Sequence, residues 1–206
     1  EKAQTHIVLN WLLGHSFDVD AFLSQSLLAD VLLADSSCPL YHALEQSPLA
    51  KSPSSLCGLD NNLRQMIFSC GVEGSDPEHA DAIERLIMTT LETVKREGIA
   101  AEKLEAAIFQ MEMAQREITG SSYPYGLQLI LATLPAVIHQ QEAHQLLDID
   151  QPLQRLREAI KKPNFIKDLI DKCLLNNAHR LRIVLKPDAQ YRNKENQLLQ
   201  ERLQQE

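Results

Sequence analysis

Hydrophobic and polar positions along the chain alternate between two spacings. Residues 5–13 form a short and largely apolar run, closed by Gly14, which predicts a strand. Asp18 then stands as an N-cap before Val19, Phe22, Leu23, Leu27, Val31 and Leu32, which return to one helical face. Pro39 sits in the first turn of a second, shorter helix opened by Ser37 and Cys38. After a loop rich in Ser and Pro, residues 47–54, two β segments follow at about 55–59 and 63–72. Asp60-Asn61-Asn62 supplies turn chemistry between them, and Met66, Phe68 and Cys70 keep an imperfect period of two.

The middle of the chain reads as helix. Asp76-Pro77-Glu78 combines a cap, a proline at the first helical position and an acid in the first turn. Ala80, Ile83, Leu86, Ile87, Leu91 and Val94 then recur at helical spacing up to Gly98. A further helix over about 101–118 carries Leu104, Ile108, Met111 and Ile118 on its apolar side. The next, over 124–140, is apolar nearly all round, which predicts thorough burial, and its Pro135 predicts a kink or a break. Gln128 and Pro135 interrupt it, and it is too short to span a bilayer. Helices at about 151–161 and 165–175 flank Pro163-Asn164, and a last strand over 179–186 sets Leu181, Ile183 and Leu185 against Arg180, Arg182 and Lys186. Strands are few and helices too many for a βαβ alternation. The expected class is α+β, an antiparallel or mixed sheet with several helices packed on one face.

Composition adds exclusions. With 206 residues, 44% hydrophobic and 23% charged, the chain can bury a core without disulfides or metal. Twenty basic against 28 acidic residues give a formal charge of −8, so neither nucleic acid nor an anionic membrane is an expected partner. Cys38, Cys57, Cys70 and Cys173 lack metal-knuckle spacing and lie in apolar surroundings, where reduced thiols are expected. Cys57 and Cys70 fall on two runs that pair as a hairpin, which leaves a cross-strand disulfide conceivable. Glu1 is not an initiator Met and runs almost directly into apolar sequence, so a piece of a longer protein is expected, the alternative being a complete protein with a frayed terminus. Its last stretch, 192–206, is glutamine-rich with Leu198, Leu199 and Leu203 at helical spacing, the pattern of a helix whose partner lies elsewhere.

No self-sufficient active site is written in the sequence. His139 and His144 are five residues apart, and a helix would rotate them about 140° from each other, so zinc binding there is disfavoured against a solvated helix end. Asp18 with Asp20, and Asp148 with Asp150, lack the glycine and terminal glutamate of a calcium loop; capping is the favoured reading. Arg116-Glu117 could pair a general base with its cation, though a structural ion pair is commoner. Nucleophile-elbow, phosphate-loop and dinucleotide motifs are lacking. Accordingly no catalytic, cofactor-binding or metal residue is assigned.

Four stretches in order carry a family resemblance: Ser37-Cys38-Pro39-Leu40-Tyr41-His42-Ala43-Leu44, then Met66 to Gly74, then Gln115-Arg116-Glu117 through Tyr125-Gly126-Leu127, then Leu174 to Arg180 through Pro187-Asp188. Together they resemble the insulinase-like (pitrilysin) family of zinc peptidases, in particular its branch that degrades cleaved targeting presequences and other short unfolded peptides. The resemblance implies four homologous α+β domains in two halves around a closed peptide chamber, with zinc held by an inverted His-x-x-Glu-His motif in the first domain. None of the zinc residues can be carried onto this sequence. Residues 1–190 would be the second, non-catalytic domain of the first half, and 191–206 the start of the helical hairpin linker. The implied partners are the other peptidase domains and unfolded peptides, and the implied setting a bacterial cytoplasm or organelle matrix. Two alternatives stand beside it: a scaffold domain of a catalytically inactive homologue, and an unrelated α+β ligand-binding domain.

Overall fold

A computed structural model describes residues 4–116 and 124–205. In chain order its elements are β1 (Thr5–His15), α1 (Val19–Leu33), α2 (Pro39–Glu45), β2 (Ser52–Pro53), β3 (Gly58–Asp60) and β4 (Gln65–Ser75). They continue with α3 (Ala80–Glu97), α4 (Ala101–Arg116), α5 (Tyr125–Ile138), α6 (Asp150–Ile160), α7 (Phe165–Ile170), β5 (Arg180–Leu185) and α8 (Tyr191–Gln205). The sheet runs β2-β4-β1-β5, with β3 also on the outer edge of β4, and every pairing is antiparallel. The class is α+β, as the sequence predicts.

The core lies between one face of this sheet and the helices. Ile7, Leu9 and Trp11 of β1 and Met66, Phe68, Cys70 and Val72 of β4 are fully buried on that face. They meet Leu23, Leu27 and Leu28 of α1 and Ile83, Ile87 and Leu91 of α3. α1 is buried over more of its circumference than its apolar stripe predicts, because α4 and α6 cover the side turned from the sheet. Trp11 pins the far end of the chain to the sheet: its indole N–H donates to the Leu174 carbonyl at 2.8 Å, and its ring meets Phe68 edge-on at 5.8 Å. Leu174 lies in a π-helical turn, Asp171–Leu175, that extends α7.

Local signals succeed where the chemistry is short-range. Asp18 caps α1 through a 3.0 Å bond from the Ala21 N–H, and Asp60 accepts from the Asn62 N–H at 2.9 Å in the turn before β4. At Gly98, φ is +84°, and its N–H closes α3 on the Val94 carbonyl.

Four expectations need correction. Of the strand expected at 55–59 only its end forms, as β3 from Gly58, and the loop expected at 47–54 contains the two-residue β2, so β4 takes two short partners. Asp76 precedes a 3-10 turn, Pro77–His79, without a side-chain cap bond; α3 proper begins at Ala80. Of the kink or break expected at Pro135, the break does not occur: α5 continues through it to Ile138. Most consequentially, α5 is not buried: only Pro135 and Ala136 are, because its chief neighbour within the chain is the short turn Ala143–Leu146. The expected end of α4 at 117–118, including Glu117 and Ile118, lies outside the described residues.

Candidate functional site

Of the polar residues singled out from the sequence, Asp18, Asp20, His144 and Asp148 border one cleft, and several others are taken up in contacts between helices. His139 caps the C-terminus of α5, whereas His144 sits in the following turn with its Nδ1 3.4 Å from Glu142. Among the described residues no three His, Cys, Asp or Glu side chains converge as a metal site would require. Asp20 is engaged by the guanidinium of Arg155 through two bonds of 2.9 and 2.8 Å, which ties α1 to α6. Arg116 bridges Glu112 at 3.0 Å and Asp150 at 2.6 Å, joining α4 to α6. Asp148 lines a shallow cleft with Asp18, Asp20, His144 and Arg155. These ion pairs are struts between helices.

What distinguishes the molecule is its apolar surface. Register places Val8, Asn10 and Leu12 of β1 on the sheet face opposite the helices, beside Leu181, Ile183 and Leu185 of β5 and Ile67, Ser69 and Gly71 of β4. Leu181, Ile183 and Leu185 are 60%, 47% and 63% exposed. β5 is inverted relative to an ordinary half-buried strand. Arg180 and Arg182 point toward the helices, where both meet Glu84 of α3 and Arg182 also meets Asp81 at 2.6 Å. The ionic contacts take the inner side of this edge, so its leucines and isoleucine turn outward. Ser69 and Asn10 are satisfied by each other at 2.8 Å on the open face.

Further exposed apolar side chains stand on α4 and on α5. Phe109, Met113, Ile130, Leu131, Leu134, Val137 and Ile138 are all exposed, Ile130 and Ile138 by 60% and 62%. A cavity of about 980 Å³ runs between α4 and α6, lined by Ile108 and Ile160 and by Glu105, Arg116, Arg157 and Glu158. Rows of exposed apolar side chains of this extent mark surfaces meant to be covered. The sequence announced the hydrophobicity of α5 but not its exposure, and for β5 it announced two faces without saying which one meets the core. No described helix is long and apolar enough to cross a membrane.

Comparison with known proteins gives these surfaces a setting. Residues 1–111 match the family described as the peptidase M16 inactive domain. The chain is 28% identical to the mitochondrial presequence protease of Xenopus laevis over 203 residues, 98% of this chain and 20% of that protein. It is 31% identical to the chloroplastic/mitochondrial presequence protease 1 of Arabidopsis thaliana over 193 residues, 92% of this chain and 18% of that protein. It thus spans about a fifth of the length of these relatives. In fold it is similar to the inactive peptidase domain of a candidate zinc protease from Bordetella parapertussis, with a TM-score of 0.69, 19% identity, and 91% and 95% of the two chains covered. A protease from Helicobacter pylori aligns with a TM-score of 0.64 and 15% identity, covering 90% of this chain and 41% of that one.

Proposed function

The chain belongs to the peptidase M16 inactive-domain family, and from that premise we propose that it is the non-catalytic second domain of a zinc-dependent endopeptidase that degrades short unfolded peptides. The observation that carries the reading is the exposure of apolar side chains on β5, on α4 and on α5, in a chain about a fifth as long as its relatives. The open sheet face and the exposed apolar sides of α4 and α5 pack against other peptidase domains and so help to wall the peptide chamber. α8, polar except for Tyr191, Leu198, Leu199 and Leu203, begins the helical linker to the second half, and residues 1–190 form the domain proper. Zinc and the groups that activate its water belong to another domain; when bound there the metal supplies Lewis-acid activation of the attacking water. The mitochondrial and chloroplastic names of the relatives support an organelle matrix, or the bacterial cytoplasm, as the working compartment.

The reading is tested by incubating the purified chain with an unstructured peptide and zinc, beside the full-length peptidase. The chain leaves the peptide intact, whereas the full-length protein cleaves it and loses that activity to a chelator. Chelator-sensitive cleavage by the chain alone would overturn the non-catalytic role. Full-length protein that neither binds zinc nor cleaves would make this a scaffold domain instead.

A further inference from the structure

The antiparallel register of β3 and β4 places Gly58 opposite Ser69 and Asp60 opposite Ile67. Cys57 immediately precedes β3, and extending the same register by one residue brings it opposite Cys70. Facing residues of an antiparallel pair have Cα atoms about 4.5–5.5 Å apart, inside the roughly 4.4–6.8 Å over which a disulfide closes without moving the backbone. The Cys57 sulfur lies against the backbone of Gly71, the residue next to Cys70. The Gly71 N–H donates to the same sulfur at 3.3 Å, and the Gly71 carbonyl lies 3.4 Å away, where the neutral Cys57 thiol can donate.

The two thiols differ in environment. Cys70 is wholly buried in the core, and burial pushes its thiol well above the ordinary range. Cys57 is half-buried and borders a cleft of about 430 Å³ between α1 and β3, lined by Phe22, Ala29, Asp30 and Leu59. The neighbouring Cys70 thiol holds the Cys57 thiol below its ordinary value, with help from the Gly71 and Ser54 backbone and against partial desolvation. Neither of the other two cysteines has this arrangement. Cys38 is buried and donates to the Asp30 carbonyl at 3.3 Å, and Cys173 is buried with its thiol pushed up by desolvation.

We propose that Cys57 is a peroxide-reactive thiol and Cys70 its resolving partner, so that oxidation closes a reversible disulfide between β3 and β4. The Cys57 thiolate attacks one oxygen of hydrogen peroxide; the O–O bond breaks, and the departing hydroxide takes up the thiol proton as water, leaving a sulfenic acid. The Cys70 sulfur then attacks the Cys57 sulfur. The S–O bond breaks, and the second hydroxide leaves as water with the Cys70 proton. Two thiols and one peroxide thus yield one disulfide and two waters. The inference stands on this pair alone and is independent of the peptidase reading.

The test is peptide mapping of the native chain after brief treatment with hydrogen peroxide and alkylation of the remaining thiols. Trypsin cleaves after Lys51, Arg64 and Arg85, which puts Cys57 in peptide 52–64 and Cys70 in peptide 65–85. The expected result is a linked 52–64/65–85 peptide, a fall from four titratable thiols to two, and full reversal by dithiothreitol. Cys57→Ser abolishes the link, and Cys70→Ser halts at a sulfenic acid captured by a 1,3-diketone probe. The proposal is overturned if wild-type Cys57 oxidises no faster than Cys38 and Cys173. It is equally overturned if the link forms only in denaturant, or if disulfides scatter among all four cysteines. The wild-type map decides the matter even if the Cys70 variant fails to fold.

Discussion

Gly71→Ala should damage the sheet at its centre. Gly71 pairs with Val8 in the β1–β4 ladder, and a Cβ built there would lie 2.1 Å from the Ile7 carbonyl oxygen and 2.6 Å from the Val8 Cα. Comfortable carbon–carbon contacts begin near 3.5 Å, so β1 and β4 must separate locally by about 1 Å. The obstacle is backbone, and no rotamer relieves it. Overpacking of this kind costs about 1–3 kcal/mol, and stretched ladder bonds about 0.5–1.5 kcal/mol each. A loss near 3 kcal/mol is therefore expected. In a chain of 206 residues each kcal/mol moves Tm by about 2–4 °C, which gives a fall of roughly 6–12 °C. Thermal melts followed by circular dichroism read this directly. Gly126→Ala is the matched control: it lies in α5 with nothing within 4 Å of the added methyl, and should gain about 0.5 kcal/mol from reduced chain entropy. If Gly71→Ala melts within about 2 °C of the wild type, the close β1–β4 approach is wrong.

Trp11→Phe removes the donor to the Leu174 carbonyl and leaves that buried oxygen without its indole partner, at a cost of about 1–3 kcal/mol in urea unfolding. Asp171, hydrogen-bonded first by Lys95 and then by Asn176, has its carboxyl held below the usual range. A depressed folded-state value stabilises above the unfolded value near 3.9 and is lost as pH falls through the folded one. The urea midpoint of the wild type should thus drop more steeply below about pH 4 than that of Asp171→Asn, and parallel curves would remove the ion pair from the account. Ile183→Asp places a charge on the open sheet face: the chain alone should stay folded by circular dichroism, whereas the full-length peptidase should lose activity or thermal stability.

The sequence was most legible where structure is decided within a few residues. The Asp18 cap, the Asp60 turn and the run from Ala80 to Val94 each depend on neighbours along the chain, and each forms as expected. The alternation of Met66, Phe68 and Cys70 likewise chose the inner face of β4. Decisions that rest on tertiary partners were not legible. Arg116 adjoins Glu117 in sequence, yet it reaches Asp150 across a helix interface. The arginines of β5 face inward because Asp81 and Glu84 of α3 await them, a fact no strand periodicity contains. α5 is apolar nearly all round, and hydrophobicity reports a need for cover without reporting what supplies it. The candidate surfaces are thus written in the sequence as apolar side chains, whereas their exposure emerges only from the packing.

Hydroxyl-radical footprinting of the chain alone and of the full-length peptidase tests the central claim most directly. Side-chain labelling would be quantified at Leu181, Ile183 and Leu185 on the sheet and at Phe109, Ile130 and Ile138 on the helices, with the buried Leu9 and Phe68 as internal references. A domain that packs against its neighbours through these faces predicts strong labelling in the chain and marked protection in the full-length protein. Equal labelling in both would contradict it.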